Sequence, residues 1–344
     1  MDFKSANLDF KMADMNISAN RCSYSSLSDS IFLPGMYGFV FITGLPLICF
    51  ALHGLYRLMK SENTLPIYVF NLLISDLVQI CTLPFWIVYY RNGHVWRFGR
   101  VLCSLIGCMF FVSLFVSIFF MCCITLERYL AISHPVWFRN QRQLWKSWIV
   151  CLALWGLVSL FTSGAFYFGF EEDQNIRCME NYPAQKKFAI FQLIAMTTTF
   201  VLPFIFLLFM YQATGRNMRK VMLMSDEEKK RITSLLSLII IIFTAVFGPY
   251  HIIYYVKYIG ILILQDSCNF QSSIFIYCQI ALGWLSLNSI LDPIMYIFLR
   301  KDFIRILSKT FPFLQHFDCW RRRAYGQAAH KSSISTPSES VQFR

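Results

Sequence analysis

From residue 31 to residue 299 the chain alternates between long apolar stretches and short polar segments. Seven stretches stand out, at 31–56, 65–90, 101–133, 147–170, 187–212, 232–260 and 270–299. Each reaches the about 20 residues that a helix needs to cross the hydrocarbon of a bilayer. Lipid offers the backbone no hydrogen-bond partner, so stretches this apolar are predicted to be helical throughout. The pattern therefore predicts an all-α membrane protein, a bundle of seven spans. No internal repeat and no mirrored pair of broken spans relates the two halves, which argues against a secondary transporter. The longest loops fall at 168–186 and 215–229. Residues 1–30 are polar and carry Asp2, Asp9 and Asp14, without the basic start and short apolar core of a cleavable leader. The expected organisation is an N-terminal segment (1–30), the seven-span domain (31–299), an amphipathic surface helix (300–315) and a tail (316–344).

Composition strengthens this picture. Of 344 residues, 56% are hydrophobic and only 15% are charged, against about 25% charged in soluble domains. A soluble enzyme, a disordered chain and a secreted disulfide scaffold are all excluded on that ground. The net charge of +12 raises the question of nucleic acid, but its placement answers otherwise. With the N-terminus outside, 21 of the 31 Lys and Arg fall in the expected cytoplasmic segments. The N-terminus is thus expected to be extracellular and the tail cytoplasmic. The basic rim meets anionic membrane lipid, and no nucleic-acid partner is expected. The sequon Asn16-Ile17-Ser18 then lies outside, where Asn16 can be glycosylated. Most of the 12 Cys sit inside apolar runs, where a thiol acts as a small hydrophobe.

Ionisable side chains at bilayer depth are costly and therefore informative. Asp76 in the second span and Asp292 in the seventh are deep, with Ser117, Asn288 and Ser289 at matching depth. They form either an inward polar cluster that holds a proton or a sodium ion, or a hydrogen-bonded knot that fixes packing. At the inner end of the third span stands Glu127-Arg128-Tyr129, on its own a functional pair or a pair snorkelling at the membrane edge.

Together these residues resemble the rhodopsin-like receptors coupled to G proteins. Glu127-Arg128-Tyr129 is similar to their Asp/Glu-Arg-Tyr motif, and Asn288 through Tyr296, with Asp292-Pro293, to their seventh-helix Asn/Asp-Pro-x-x-Tyr motif. Asn71 to Asp76 resembles the second-helix signature, Trp155 the fourth-helix tryptophan, and Pro203 and Tyr211 the fifth helix. Phe247-Gly248-Pro249-Tyr250-His251 resembles the sixth-helix proline bend, with Phe in place of the commoner Trp. The resemblance covers roughly residues 31–315 and implies a Cys103–Cys178 disulfide at the outer face. It implies a switch through Phe247, Pro249, Tyr211, Asp292, Pro293 and Tyr296, and a G-protein contact at Glu127, Arg128, Tyr129, Pro135 and Val136. Arg128 would receive the G protein when the inner mouth opens, beside Lys229-Lys230-Arg231.

Two departures matter. Ile48 stands where the family carries a first-helix Asn, which weakens the binding of a sodium ion, the one cofactor expected, at Asp76. Lys229 stands where an acid of the sixth helix often pairs with the motif Arg, leaving Arg128 to rely on Glu127.

Cys22 and Cys268 remain outside the bundle, where a second bridge is expected unless Cys22 stays free or links two chains. That pair, the Phe-x-Pro-Tyr-His run and Asp292 resemble the branch holding proton-sensing, lysolipid, nucleotide and protease-activated receptors. The run Thr82 to Asn92 and Cys122-Cys123-Ile124 look like the proton-sensing group and its fatty-acid-responsive relative. The former run also resembles the platelet-activating-factor receptor, against which the Cys22–Cys268 pair argues. Proton sensing needs groups titrating near neutrality, and only His94 and His251 lie on the outer half, with Val158 where the group carries an acid. The competing ligand is an anionic lipid such as a lysophospholipid or an oxidised fatty acid. Its head group would meet Lys257, with Tyr250, His251 and Tyr254, and Arg91 and Arg177 at the rim.

Phe303, Ile304, Leu307, Phe311 and Phe313 alternate with Arg300, Lys301, Arg305 and Lys309, predicting a helix on the inner leaflet. Cys319 beside Trp320 is a palmitoylation candidate. Six Ser/Thr between 332 and 340 would take phosphates from a receptor kinase and recruit an arrestin. An opsin is excluded, since 270–299 holds no Lys for a Schiff base. No catalytic set or metal set is expected. A proton or ion carrier built on Asp76 and Asp292 is the rival from a different class, and would show current without G protein. Because Lys229 replaces the usual acid, basal activity is expected to be raised. Ligand-free signalling in transfected cells should exceed the empty-vector control, and equality would refute it.

Overall fold

The computed structural model describes residues 29–58, 64–141, 143–169, 178–179, 186–219, 221, 224–264 and 267–299. Residues up to Met295 belong to one compact unit, and a second begins at Tyr296. Six spans run Asp29–Leu58, Leu65–Arg91, Arg100–Ser133, Leu144–Gly169, Lys186–Met218 and Asp226–Ile263, and the seventh comprises Ser267–Leu285 and Asn288–Leu299. Among the described residues, seven helices are long and apolar enough to cross a membrane. A short helix, Pro135–Gln141, links the third span to the fourth. The expected tail, surface helix and N-terminal segment, with Asn16, Cys22 and Cys319, lie outside the described residues, as does Arg177.

Burial divides each span into two faces. Leu152, Leu160, Ile241 and Ile252 are exposed, on the faces that meet lipid, whereas Leu72, Leu83, Phe120 and Phe243 are fully enclosed. Polar side chains inside the bundle obey the same constraint as the backbone. Ser75, Thr82 and Ser113 donate to carbonyls of their own helices at 2.6–2.7 Å, to Leu72, Gln79 and Phe110 respectively. A hydroxyl that bonds back to its own helix carries no unsatisfied group into hydrocarbon.

Three elements differ from the expected pattern. The sixth span starts at Asp226 rather than at 232. Ser225 caps it, accepting from the Glu228 backbone N–H at 3.3 Å, and Asp226, Glu227 and Glu228 fill the first turn. Anionic side chains there favour the positive end of the helix dipole, so polar residues extend an apolar helix out of the membrane. The fifth span likewise continues to Met218, beyond 212. It contains a wider π turn at Thr197–Val201, in which the Leu202 N–H bonds the Thr197 carbonyl. Pro203 follows directly, and a proline without N–H and with a bulky ring is accommodated by such a turn. The seventh span, expected to be continuous, breaks between Leu285 and Asn288, where tighter bonds such as Leu287 N–H to Trp284 O at 3.1 Å take over.

Close approaches explain where glycine is needed. A Cβ at Gly44 would lie 2.7 Å from Ile80 and 3.6 Å from the Ser289 carbonyl, so the first span abuts the second and seventh. A Cβ at Gly260 would overlap the Phe270 ring of the seventh span. Gly260→Ala is therefore expected to cost about 1–3 kcal/mol of overpacking, read as a lowered melting temperature in detergent micelles. Gly38→Ala, with nothing within 4 Å of its Cβ, should leave that temperature unchanged or slightly raised.

Candidate functional site

At one end of the bundle Cys103, at the start of the third span, is disulfide-bonded to Cys178. The Cys178 backbone N–H donates to the Tyr89 hydroxyl at 3.3 Å, fixing the loop against the second span. Met179 follows with φ of 66°, and its side chain fills the notch left by Gly107. Beneath this roof lies a cavity of about 150 Å³. Its walls are mainly aromatic and include Trp86, Phe110, Phe115, Phe188 and Phe191. Among the described residues lining it, Lys257 alone is a Lys or Arg. Its ammonium lies 5.2 Å from the Tyr254 ring centre and 5.6 Å from that of Tyr258, within cation–π range. Gln279, which accepts from the Tyr90 hydroxyl at 3.3 Å, adds a polar wall group.

His251 also lines the cavity. Its Nδ1 donates to the Phe247 carbonyl at 2.7 Å, since a carbonyl can only accept. Its ring stacks on Phe200 at 4.4 Å, and Phe200 stacks on Phe243 at 5.3 Å. Phe243 in turn meets Phe247 at 5.4 Å. This column of rings joins the cavity floor to the middle of the fifth and sixth spans.

Deeper in the bundle the predicted polar residues meet. The Asn288 side-chain N–H group donates to Asp76 Oδ1 at 3.1 Å and to Ser117 Oγ at 3.0 Å, while Ser117 donates to Asp292 Oδ2 at 3.1 Å. All four residues are fully buried. Beside this network Ser289 donates to Gln79 Oε1 at 2.9 Å. Asp76 Oδ2, Asp292 Oδ1 and Asn288 Oδ1 have no hydrogen-bond partner. Ile48 is buried as an apolar residue where a further polar member was expected to be missing. On the other side of the second span, the Trp155 indole donates to Asn71 Oδ1 at 3.2 Å.

At the opposite end, Thr64 donates to Glu127 Oε1 at 2.6 Å, and Arg128 stands 3.9 Å from Glu127 Oε2. Glu127 Oε2 and Arg128 Nε make no hydrogen bond, so the ion pair is loose. Tyr211 accepts from Ser237 at 3.4 Å, tying the fifth span to the sixth. Tyr129 packs edge-on near His134 at 6.3 Å, and Pro135 and Val136 are exposed.

Several expected positions lie elsewhere. Arg91 is exposed at the end of the second span and does not line the cavity. His94 is buried at 3% exposure with φ of 63°, packed on Tyr89, Tyr90 and Phe275. It closes the end of the second span, its N–H bonding the Tyr89 carbonyl at 3.1 Å, rather than facing the cavity. Pro293 is buried, and the side chains of Cys268 and Tyr296 lie outside the described residues. Phe200, Gln79 and Gln279 escaped the sequence reading. Of these only Gln79, three residues after Asp76 and so on the same helical face, left a readable trace.

Comparison with known proteins fits this geometry. The pattern of the 7 transmembrane receptor (rhodopsin family) matches residues 47–296. The chain is similar to human G-protein coupled receptor 68, at 30% identity over 92% of this chain and 89% of that protein. It is 28% identical to a purinoceptor of the chicken (Gallus gallus) over 85% of this chain and 92% of that one. Mouse Probable G-protein coupled receptor 132 is 26% identical over 81% and 74%. The chain belongs to the rhodopsin family of seven-transmembrane receptors and is a G-protein-coupled receptor rather than an enzyme.

Proposed function

We propose that the disulfide end faces outward and that the cavity binds a small anionic lipid, whose binding activates a heterotrimeric G protein at the Arg128 end. The observation that carries this reading is Lys257. It places one buried cation, at 7% exposure, in a cavity whose walls are mainly aromatic. A carboxylate or phosphate head would pair with the ammonium, and an acyl chain would lie against the Phe rings. Ligand that favours one arrangement shifts its population by the difference in affinity. The ring column through His251, Phe200, Phe243 and Phe247 supplies the path from the cavity to Pro249. The loose Glu127–Arg128 pair supplies a site that releases easily. Glycosylation at Asn16, palmitoylation at Cys319 and phosphorylation of the tail for arrestin belong to the same reading.

The oxygen atoms of Asp76, Asp292 and Asn288 that lack partners are of the type a sodium ion takes. Ile48 removes a polar neighbour from that donor set and makes a weak site the better reading.

A second reading takes protons as the ligand, favoured by the buried Asp76 and Asp292 joined through Asn288 and Ser117. A linked pair of carboxylates titrates as a unit and can act as a proton site. His94 gives this reading little support, since it lies off the cavity.

G-protein activation measured against lysophospholipids, oxidised fatty acids and nucleotides separates these readings from the purine ligands suggested by the purinoceptor similarity. The expectation is a response to acidic lipids that is flat between about pH 8 and about pH 6. A rise on acidification without lipid, lost in Asp292→Asn, would favour protons instead. Lys257→Gln is expected to lower acidic-lipid potency about tenfold to a hundredfold, the loss of one charge-assisted hydrogen bond. Unchanged potency would remove Lys257 from the site.

A further inference from the structure

The sixth and seventh spans each contain a weak point, and one side chain joins them. Pro249 has no N–H, so the carbonyl four residues earlier, that of Ala245, loses its partner within the helix. In this structure that carbonyl accepts from the Trp284 indole Nε1 at 2.8 Å. Trp284 belongs to the seventh span and stands beside the break between Leu285 and Asn288. The residue is 43% exposed on the outside of the bundle, at membrane depth, where lipid gives the carbonyl no alternative donor. An indole N–H is donor only, so the bond has one polarity and one register.

We propose that Trp284 is a positioning residue for receptor activation, a latch that satisfies the proline-freed carbonyl of Ala245 and holds the sixth-span bend against the seventh span in the resting arrangement. The resting assignment follows from the other end, where Arg128 still stands beside Glu127 and Tyr211 is tied to Ser237. Above Pro249, the sixth and seventh spans also meet closely at Gly260 and Phe270. Below Ala245, the Ser237–Tyr211 bond runs to the fifth span instead. The latch therefore sits between a contact of the sixth span with the seventh, at Gly260, and one with the fifth, at Ser237. When the bend changes, the Ala245 carbonyl turns away from the indole and the bond is lost. Removing the donor beforehand takes that stabilisation from the resting arrangement alone. The latch acts in the same way whatever ligand the cavity takes.

The test is ligand-free nucleotide exchange by the full-length receptor in lipid nanodiscs, measured over a panel of Gα subunits. Trp284→Phe keeps a ring and removes the N–H, and is expected to raise the basal rate about fivefold to thirtyfold. Replacement of Trp284 by its benzothienyl isostere keeps the shape and replaces only the N–H by sulfur, so it should raise the rate equally and also decides the matter if the Phe variant folds poorly. In a Pro249→Ala background the backbone N–H restored at that position reoccupies the Ala245 carbonyl, and the isostere should then have no effect. A rise with Phe but not with the isostere would assign the effect to packing and overturn the proposal. An isostere indistinguishable from the native residue, or equally active with and without Pro249, would overturn it too.

Discussion

Hydrocarbon cannot take part in a hydrogen bond, and that single fact organises this receptor from its helices to its buried polar groups. Inside water a stray carbonyl costs little, because solvent replaces the missing donor. Inside a bilayer the partner has to come from the protein. The helical form of every described span follows, as do the hydroxyls of Ser75, Thr82 and Ser113 turned back onto their own helices. So does the meeting of Asp76, Ser117, Asn288 and Asp292 at the centre of the bundle, where each of the four side chains hydrogen-bonds at least one of the others.

Prolines test this constraint, and the structure meets it differently in the fifth and sixth spans. In the fifth span Pro203 is preceded by a π turn, a rearrangement of the helix itself. In the sixth, the carbonyl left by Pro249 is satisfied by a neighbouring helix through Trp284. The first solution is local and leaves the fifth span self-contained. The second makes the shape of one helix depend on the position of another, which is the property a transmitting element requires.

The seven spans were legible because membrane helices announce themselves by length and hydrophobicity alone. Their ends were harder to place. Asp226 to Arg231 is charged and resembles a loop in composition, yet Ser225 capping and the acidic first turn make it helix. Asp76, Asn288 and Asp292 were found because charge at membrane depth is rare enough to stand out. Phe200 and Phe243 were invisible among 35 Phe, since only the fold distinguishes a stacked ring from a lipid-facing one. His94 misled for the complementary reason. Its residue type suggested titration, but Asn92-Gly93-His94 ends a helix, and backbone geometry rather than ring chemistry settles where the side chain goes.

The extended start of the sixth span has a mechanical consequence. From Asp226 to Pro249 the helix forms an arm of about 35 Å at 1.5 Å per residue. A change of bend of about 10° at the proline would carry the tip of such an arm through about 6 Å. Adding turns beyond the membrane edge multiplies displacement without asking more of the hinge. The capped, acidic first turn supports helix along that extension, so a small change of bend at the proline would be carried through to its tip.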